Sequence, residues 1–189
     1  MRPRSHARPR LLALAAFALA IIPTAALAHP GHDAHGLLPG FAHPFGGFDH
    51  LIAMVAVGLY AFQLGGRALW LVPATFVAVM AAAGAFGIAG VPLPGVEIGI
   101  AASVIVLGAI VILRVKMPVA IAAALVGVFA VFHGHAHGTE MPLDASGALY
   151  AAGFVAATAL LHVAGIALGK LIASTRATWS ALRRVPSKI

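Results

Sequence analysis

The chain alternates between long apolar runs and short polar or turn-forming segments. Five apolar runs follow residue 44, and each is close in length to the ~20 residues that a helix needs to span a bilayer. The segments between them are rich in Gly, Pro or charge, which is typical of turns between antiparallel neighbours. The pattern predicts an all-α integral membrane protein with a bundle of about five transmembrane helices. The predicted spans are about 45–66, 69–90, 96–113, 117–135 and 147–170.

The first 28 residues have the pattern of a cleavable signal peptide. Arginines precede an apolar run from Leu11 to Ile22, and small residues up to Ala28 form a cleavage site. An uncleaved first helix is the alternative. Cleavage would leave a His-rich extracytoplasmic segment, residues 29–44, ahead of a membrane bundle at 45–172 and a basic cytoplasmic tail at 173–189. The mature chain would begin at His29, whose α-amine could chelate a metal together with its imidazole.

Composition supports membrane insertion and limits the chemistry. Hydrophobic residues make up 61% of the chain and charged residues 9%, whereas a soluble domain is nearer ~45–50% apolar. The net charge of +7 comes without a basic patch interleaved with aromatics, so no nucleic-acid partner is expected. Cysteine is absent, so nitrogen, oxygen or thioether donors must hold any metal. The chain has no G-x-x-x-x-G-K-[ST] loop, so no ATPase is evident in it.

The distribution of charge predicts the topology. With the mature N-terminus outside and five spans after it, the basic residues from Arg67 onward fall on the cytoplasmic side, as the positive-inside rule requires. The same topology places every acid and nearly every histidine on the outer side. We therefore expect a multi-pass protein of the bacterial inner membrane, with a cytoplasmic C-terminus and an outer face that attracts cations.

Two segments, His43 to Met54 and Phe132 to Glu140, carry the candidate chemistry. In a helix, His133 and His137 are four residues apart and share one face, and Glu140 follows three residues later. Imidazole suits Ni, Cu, Zn, Co and Fe, and carboxylate extends the choice to harder ions. Together with Asp49 and His50, these groups would form a metal site of about four to six donors between two helices.

The remaining candidates each have a structural alternative. His162, in the fifth span, could relay an ion, or it could be a neutral core histidine hydrogen-bonded to Thr158 or to backbone. Met54 could be a ligand or a packing residue. The N-terminal histidines His32 and His35 could form a structured site or a solvated tail that buffers metal. Three glycine pairs with small-xxx-small spacing permit close helix packing, although small residues are common in any such helix: Gly95/Gly99, Gly134/Gly138 and Gly165/Gly169.

The two segments also carry a family resemblance. His43 to Met54 resembles the HPxxGxDHxxAM signature of the HupE/UreJ family of secondary nickel permeases, some of which are associated with cobalt, and Phe132 to Glu140 resembles the second motif, FHGxAHGxE. The resemblance extends over the whole chain. It implies a metal role for His29, His43, Asp49, His50, His133, His137 and Glu140. Further metal or relay candidates are His32, His35, Met54, His135 and His162.

The function that the resemblance implies is transport of Ni²⁺ into the cytoplasm for a hydrogenase or urease. The ion would be cargo rather than a permanent cofactor, the other partner would be the lipid bilayer, and the protein would not be an enzyme. Homo-oligomerisation stays open. The alternatives are a Co²⁺ permease, an intramembrane metal-dependent hydrolase, or a non-transporting metal chaperone or sensor. Neither HExxH nor G-x-S-x-G is present to support the hydrolase.

Overall fold

The structure, a computed structural model, describes residues 36–141 and 145–182. Within these ranges all regular secondary structure is helical, which confirms the all-α prediction. A 3₁₀ turn, His43–Phe45, separates the first two helices. The predicted signal peptide and the histidines at 29, 32 and 35 lie outside the described residues. The helices are α1 Leu37–Ala42, α2 Phe48–Leu64, α3 Ala68–Ile88, α4 Val96–Leu113, α5 Val119–Thr139 and α6 Ala145–Leu182.

Four helices are long and apolar enough to cross a membrane: Ala68–Ile88, Val96–Leu113, Val119–Thr139 and the Ser146–Thr175 part of α6. A fifth span arises if Leu37–Gly46 and Phe48–Leu64 are counted together, although the chain bends by 89° between them. The sequence predicted one continuous run from about residue 45. In the structure a separate short helical segment ends there instead. Pro44 lies in the 3₁₀ turn that ends this segment, and Gly47, whose backbone is extended, separates the turn from α2.

The helices run up and down, so each end of the bundle collects chemically similar residues. At the histidine end, defined by His50, His133 and His137, lie the beginnings of α2, α4 and α6 and the ends of α3 and α5. The opposite, basic end carries Arg67, Arg114 and Lys116. Lys116 donates a hydrogen bond there to the carbonyl oxygen of Gln63, which ties the α4–α5 connection to the end of α2.

Glycines bring two helix backbones together beside the histidines. A Cβ added at Gly134 would overlap the backbone carbonyl of Met80 on α3, and one added at Gly138 would overlap that of Gly84. Two small-xxx-small positions of α5 therefore lie directly on the α3 backbone. This contact fixes the rotation and height of α5, and it thereby fixes the side chains that α5 presents to the bundle interior.

Candidate metal centre

Three histidines from two helices meet inside the histidine end and form what we call the buried triad: His50, His133 and His137. The Nδ1 atom of His50 lies 3.1 Å from Nδ1 of His133 and 3.1 Å from Nε2 of His137. Metal–imidazole bonds are about 2.1 Å long, so two nitrogens bound at right angles would lie about 3.0 Å apart. The spacing fits three ligands on one face of a first-row metal ion.

A second group, the rim triad, lies beside the first and consists of His43, His137 and Glu140. His43 Nε2 is 3.0 Å from His137 Nδ1. A carboxylate oxygen of Glu140 lies 3.6 Å from His43 Nε2 and 3.7 Å from His137 Nδ1. Glu140 is 58% exposed, so this triad, unlike the buried one, is open to solvent on one side.

His137 belongs to both triads, with Nδ1 facing the rim and Nε2 facing the interior. A neutral imidazole has one lone pair and one N–H. Neutral His137 can therefore offer a lone pair to only one triad at a time, unless it also loses its remaining N–H proton. The two triads therefore share one ligand and are not independent sites.

Aromatic residues enclose the histidines. The ring of Phe154, on α6, has its centroid 4.4 Å from that of His137 and 5.2 Å from that of His50. Phe76, on α3, lies against His133 at 5.9 Å. Their sequence positions give no signal of this role, because a phenylalanine in an apolar span is ordinary. The rings exclude water from the buried triad, which strengthens electrostatic interactions inside it.

Ser103 also contacts the buried triad, and sequence reasoning missed it. Its hydroxyl donates a 2.6 Å hydrogen bond to the carbonyl of Ile100 and lies 2.8 Å from Nε2 of His133. The available signal was a polar residue within an otherwise apolar span. The sequence could not show which helix that residue faces.

Four of the predicted site residues that the structure describes lie outside both triads, and three of them are Asp49, His135 and Met54. Asp49 is exposed, and its carboxylate accepts a 2.8 Å hydrogen bond from the backbone N–H of His50. His135 is buried on another side of α5, where its Nε2–H donates a 2.6 Å hydrogen bond to the Val91 carbonyl. Met54 is fully buried in the apolar core, one turn from His50 toward the basic end.

His162 lies deeper in the bundle and also outside the triads. It is 1% exposed, and neither ring nitrogen has a hydrogen-bond partner among the described residues. The Thr158 hydroxyl points instead toward the sulfur of Met80, at 4.0 Å, so the predicted alternative of a core histidine bonded to Thr158 is not what the structure shows. Eight residues separate His162 from Phe154 along α6, which is about 12 Å toward the basic end.

Charge is separated between the two ends. The described acids, Asp49, Glu97 and Glu140, are all at the histidine end, and the basic residues of the interhelical connections are at the other. Hydrogen bonding to His137, aided by attraction to His137 and His43, holds the pKa of Glu140 below its ordinary value of 4.5 against the opposing effect of partial burial. Glu140 is therefore ionised at neutral pH, and the histidine end attracts cations.

Comparison with known proteins gives two matches. A sequence model of the family described as HupE / UreJ protein matches residues 17–187. A curated relative, Protein HupE of Rhizobium leguminosarum bv. viciae, is 52% identical over 158 residues, which is 84% of this chain and 81% of the relative. No solved structure matches the chain.

Proposed function

Because the chain belongs to the HupE/UreJ family, we propose that it is a secondary permease that carries Ni²⁺ across the membrane into the cytoplasm for metalloenzyme maturation. One observation supports this most strongly. A buried set of three imidazole nitrogens, two of whose separations are 3.1 Å, has His137 in common with a solvent-facing set of imidazole and carboxylate donors. A rim site leading to a buried site is the arrangement that entry of an ion requires.

In the proposed topology the histidine end faces outward. Its acids raise the local concentration of divalent cations, and the rim triad exchanges part of the hydration shell for His43, His137 and Glu140. This step resembles capture at a charged pore mouth, where protein donors replace water. An N-terminal site that includes His29 would act before the rim triad.

The second step is a transfer through His137. As the ion moves toward the buried triad, the proton of His137 is exchanged through water at the open rim from Nε2 to Nδ1, so the nitrogen that the ring offers changes from Nδ1 to Nε2. His50 and His133 then replace the two rim ligands. The ion is never left without imidazole, so no step requires a bare divalent cation in an apolar environment.

The third step leads from the buried triad toward the basic end. Met54 lies one turn below His50 and is fully buried, and His162 follows with both ring nitrogens unpartnered. A buried unpartnered imidazole is costly unless it has a use, and a passing soft-to-intermediate metal would supply a partner for it. Passage requires several moderate sites rather than one tight site.

The decisive experiment is Ni²⁺ entry into proteoliposomes that contain the purified protein. Wild type is compared with His50→Ala, which removes the nitrogen at the centre of the buried triad, and with His135→Gln, a buried histidine of the same motif outside both triads. We expect flux in wild type and in His135→Gln, and none in His50→Ala. Ni²⁺ binding without flux in wild type would overturn the permease proposal and favour a metal chaperone or sensor.

Ion choice is tested in the same vesicles. Imidazole with one carboxylate suits Co²⁺ and Zn²⁺ as well as Ni²⁺, so each competes for Ni²⁺ entry at equal concentration. We expect Co²⁺ to compete better than Zn²⁺. A buried set of three imidazoles with an open position is also the ligand set of hydrolytic zinc sites, and the hydrolase alternative requires Zn²⁺ to bind without being moved.

The proposed orientation has its own test, because the chain contains no cysteine. Single cysteines are introduced at exposed positions, Pro92→Cys at the histidine end and Val115→Cys at the basic end. A membrane-impermeant thiol reagent should label Pro92→Cys on intact spheroplasts and Val115→Cys only after lysis. The reverse labelling would contradict the topology. The N-terminal sequence of the purified protein tests cleavage after Ala28.

A further inference from the structure

Ser103 makes two hydrogen bonds of fixed direction beside the buried triad. Its side chain is fully buried on α4, and its hydroxyl lies 2.6 Å from the Ile100 carbonyl and 2.8 Å from His133 Nε2. A carbonyl oxygen can only accept, and a hydroxyl has one hydrogen. The Ser103 hydrogen therefore goes to Ile100, so His133 must donate its Nε2–H to the Ser103 oxygen. Neutral His133 consequently presents a lone pair at Nδ1.

The position of this proton determines those of the neighbouring rings. The His133 Nδ1 lone pair faces His50 Nδ1 at 3.1 Å, and two lone pairs at that distance would repel. His50 must therefore carry its proton on Nδ1. The same His50 N–H faces His137 Nε2 at 3.1 Å, so His137 has its lone pair at Nε2 and its proton on Nδ1, from which it donates to His43 Nε2 at 3.0 Å.

We propose that Ser103 is a positioning residue of the metal site, which sets the tautomers of the whole histidine cluster through His133. In the empty site two of the three inward-facing nitrogens, those of His133 and His137, are lone pairs ready to bind an ion. Relative to this empty state, occupation of the buried triad requires only His50 to move its proton, from Nδ1 to Nε2, whereas occupation of the rim triad uses the other tautomer of His137. This inference deepens the proposed function, since it concerns the same ion.

The move at His50 also limits affinity. Its Nε2 is buried and has no hydrogen-bond partner among the described residues, so a proton placed there would be an unsatisfied buried donor. In the empty site the same proton, on Nδ1, faces acceptors on His133 and His137, so binding of the ion removes these hydrogen bonds and the buried N–H gains no partner in return. The arrangement therefore favours release, which a transport site requires, while Ser103 keeps the other two ligands aligned.

The first test reads the tautomers directly. The full-length protein, labelled with ¹⁵N-histidine, is purified in detergent without metal, and long-range ¹H–¹⁵N correlation identifies the protonated nitrogen of each ring. We expect His133 to be protonated at Nε2 and His50 at Nδ1. In Ser103→Ala we expect His133 to populate both tautomers. If His133 of the wild-type protein is protonated at Nδ1, the proposal is overturned. This result requires no variant, so it does not depend on whether a variant folds.

The second test is titration of the same proteins with Ni²⁺ alone. Loss of a partner that orients a metal-binding histidine typically weakens affinity by about 10–100-fold, and we expect a change in that range for Ser103→Ala. Ser103→Thr, which keeps the hydroxyl, should restore most of the affinity. The matched control is Ser174→Ala, since Ser174 donates the same type of bond, to the Leu171 carbonyl at 2.8 Å, on an exposed part of α6.

Wild-type affinity and tautomers in Ser103→Ala would also overturn the proposal. Neither test measures flux, so failure of this inference and failure of the proposed permease are separate results.

Discussion

Replacing Gly134 with alanine tests whether the glycine contact between α3 and α5 sets the geometry of the buried triad. Gly134 follows His133 directly, and its α-carbon lies against the Met80 backbone. A methyl group there would come closer to the Met80 carbonyl oxygen than real Cβ atoms do. Because that oxygen is backbone, a rotamer change cannot relieve the overlap. The two helices must separate.

The size of the effect follows from the distances. Non-bonded heavy atoms approach favourably to about 3.5 Å, so α5 would have to move away from Met80 by about 1 Å. If that movement opens the gap to His50, its present 3.1 Å separations from His133 and His137 are lost. An ion held at about 2.1 Å by two nitrogens would then be about 3 Å from the third, beyond bonding distance. We expect at least a tenfold loss of Ni²⁺ affinity, which is about 1.4 kcal/mol.

The assay is Ni²⁺ titration of purified protein, and α5 itself supplies the control. A Cβ at Gly127 would meet Thr75 Cγ2 at 3.6 Å and Val79 Cγ2 at 3.8 Å, which are ordinary contacts. Gly127→Ala is therefore the same substitution on the same helix without the backbone overlap. Alanine favours helix over glycine by about 1 kcal/mol, so Gly127→Ala should fold at least as well as wild type and bind Ni²⁺ with unchanged affinity.

Equal affinity in Gly134→Ala and Gly127→Ala would refute the reasoning, since it would mean that the triad tolerates a shift of its helix. A loss of affinity in both would mean that α5 is sensitive to any added methyl, and the role assigned to Gly134 would be wrong. Thermal unfolding of the two variants in detergent separates loss of the site from loss of the fold.

Three further predictions concern protons and the two ends of the path. Imidazole must be neutral to bind a metal, and its unperturbed pKa is ~6.5, so Ni²⁺ uptake should decline between neutral and mildly acidic pH; a flat profile would argue against histidine capture. Folding lowers the pKa of Glu140, so the stabilisation from its contact with His137 and His43 is fully present above about pH 4.5. That stabilisation is lost only as the pH falls through the lower pKa of the folded protein. Glu140→Gln should therefore reduce initial uptake at every pH from 6 to 8; initial uptake equal to that of wild type across this range would contradict the role assigned to Glu140. His162→Ala should retain Ni²⁺ affinity within about twofold and lose most of the vesicle flux, since His162 belongs to neither triad and lies toward the basic end; unchanged flux would show that His162 is a packing residue.

The sequence predicted the fold well because a membrane leaves few choices. Apolar runs of spanning length must be helices with all backbone groups paired internally, and the structure confirms the helical bundle. The bend before α2 was missed, because hydrophobicity is continuous across residues 45–66 and does not report backbone direction. Gly46 and Gly47 were visible, but their effect depends on α6, against which the preceding segment packs.

The candidate site was predictable only where helical spacing determines proximity. His133, His137 and Glu140 share a face because they follow one another at helical spacing. The structure places His133 and His137 with His50, and Glu140 with His137 and His43. The part played by Ser103 depends on which side of α4 meets α5, and this is set by packing rather than by any periodic signal. For Asp49 the sequence was misleading in the other direction. Asp49 belongs to the motif, but it is exposed, because it lies one residue away from the helix face that carries His50.

The short helix α1 has a consequence for the order in which the protein is made. Gly153 of α6 has no room for a side chain because the backbone of α1 at Leu37 lies against it, and Gly40 of α1 lies equally close to Tyr150. Synthesis proceeds from the N-terminus, so the segment that carries His43 emerges first but acquires its packing partner last. A stalled or truncated chain that lacks α6 has nothing to hold His43 over His137. The rim triad is thus completed only after the last helix has been made and packed, whereas the histidines of the buried triad are all present earlier.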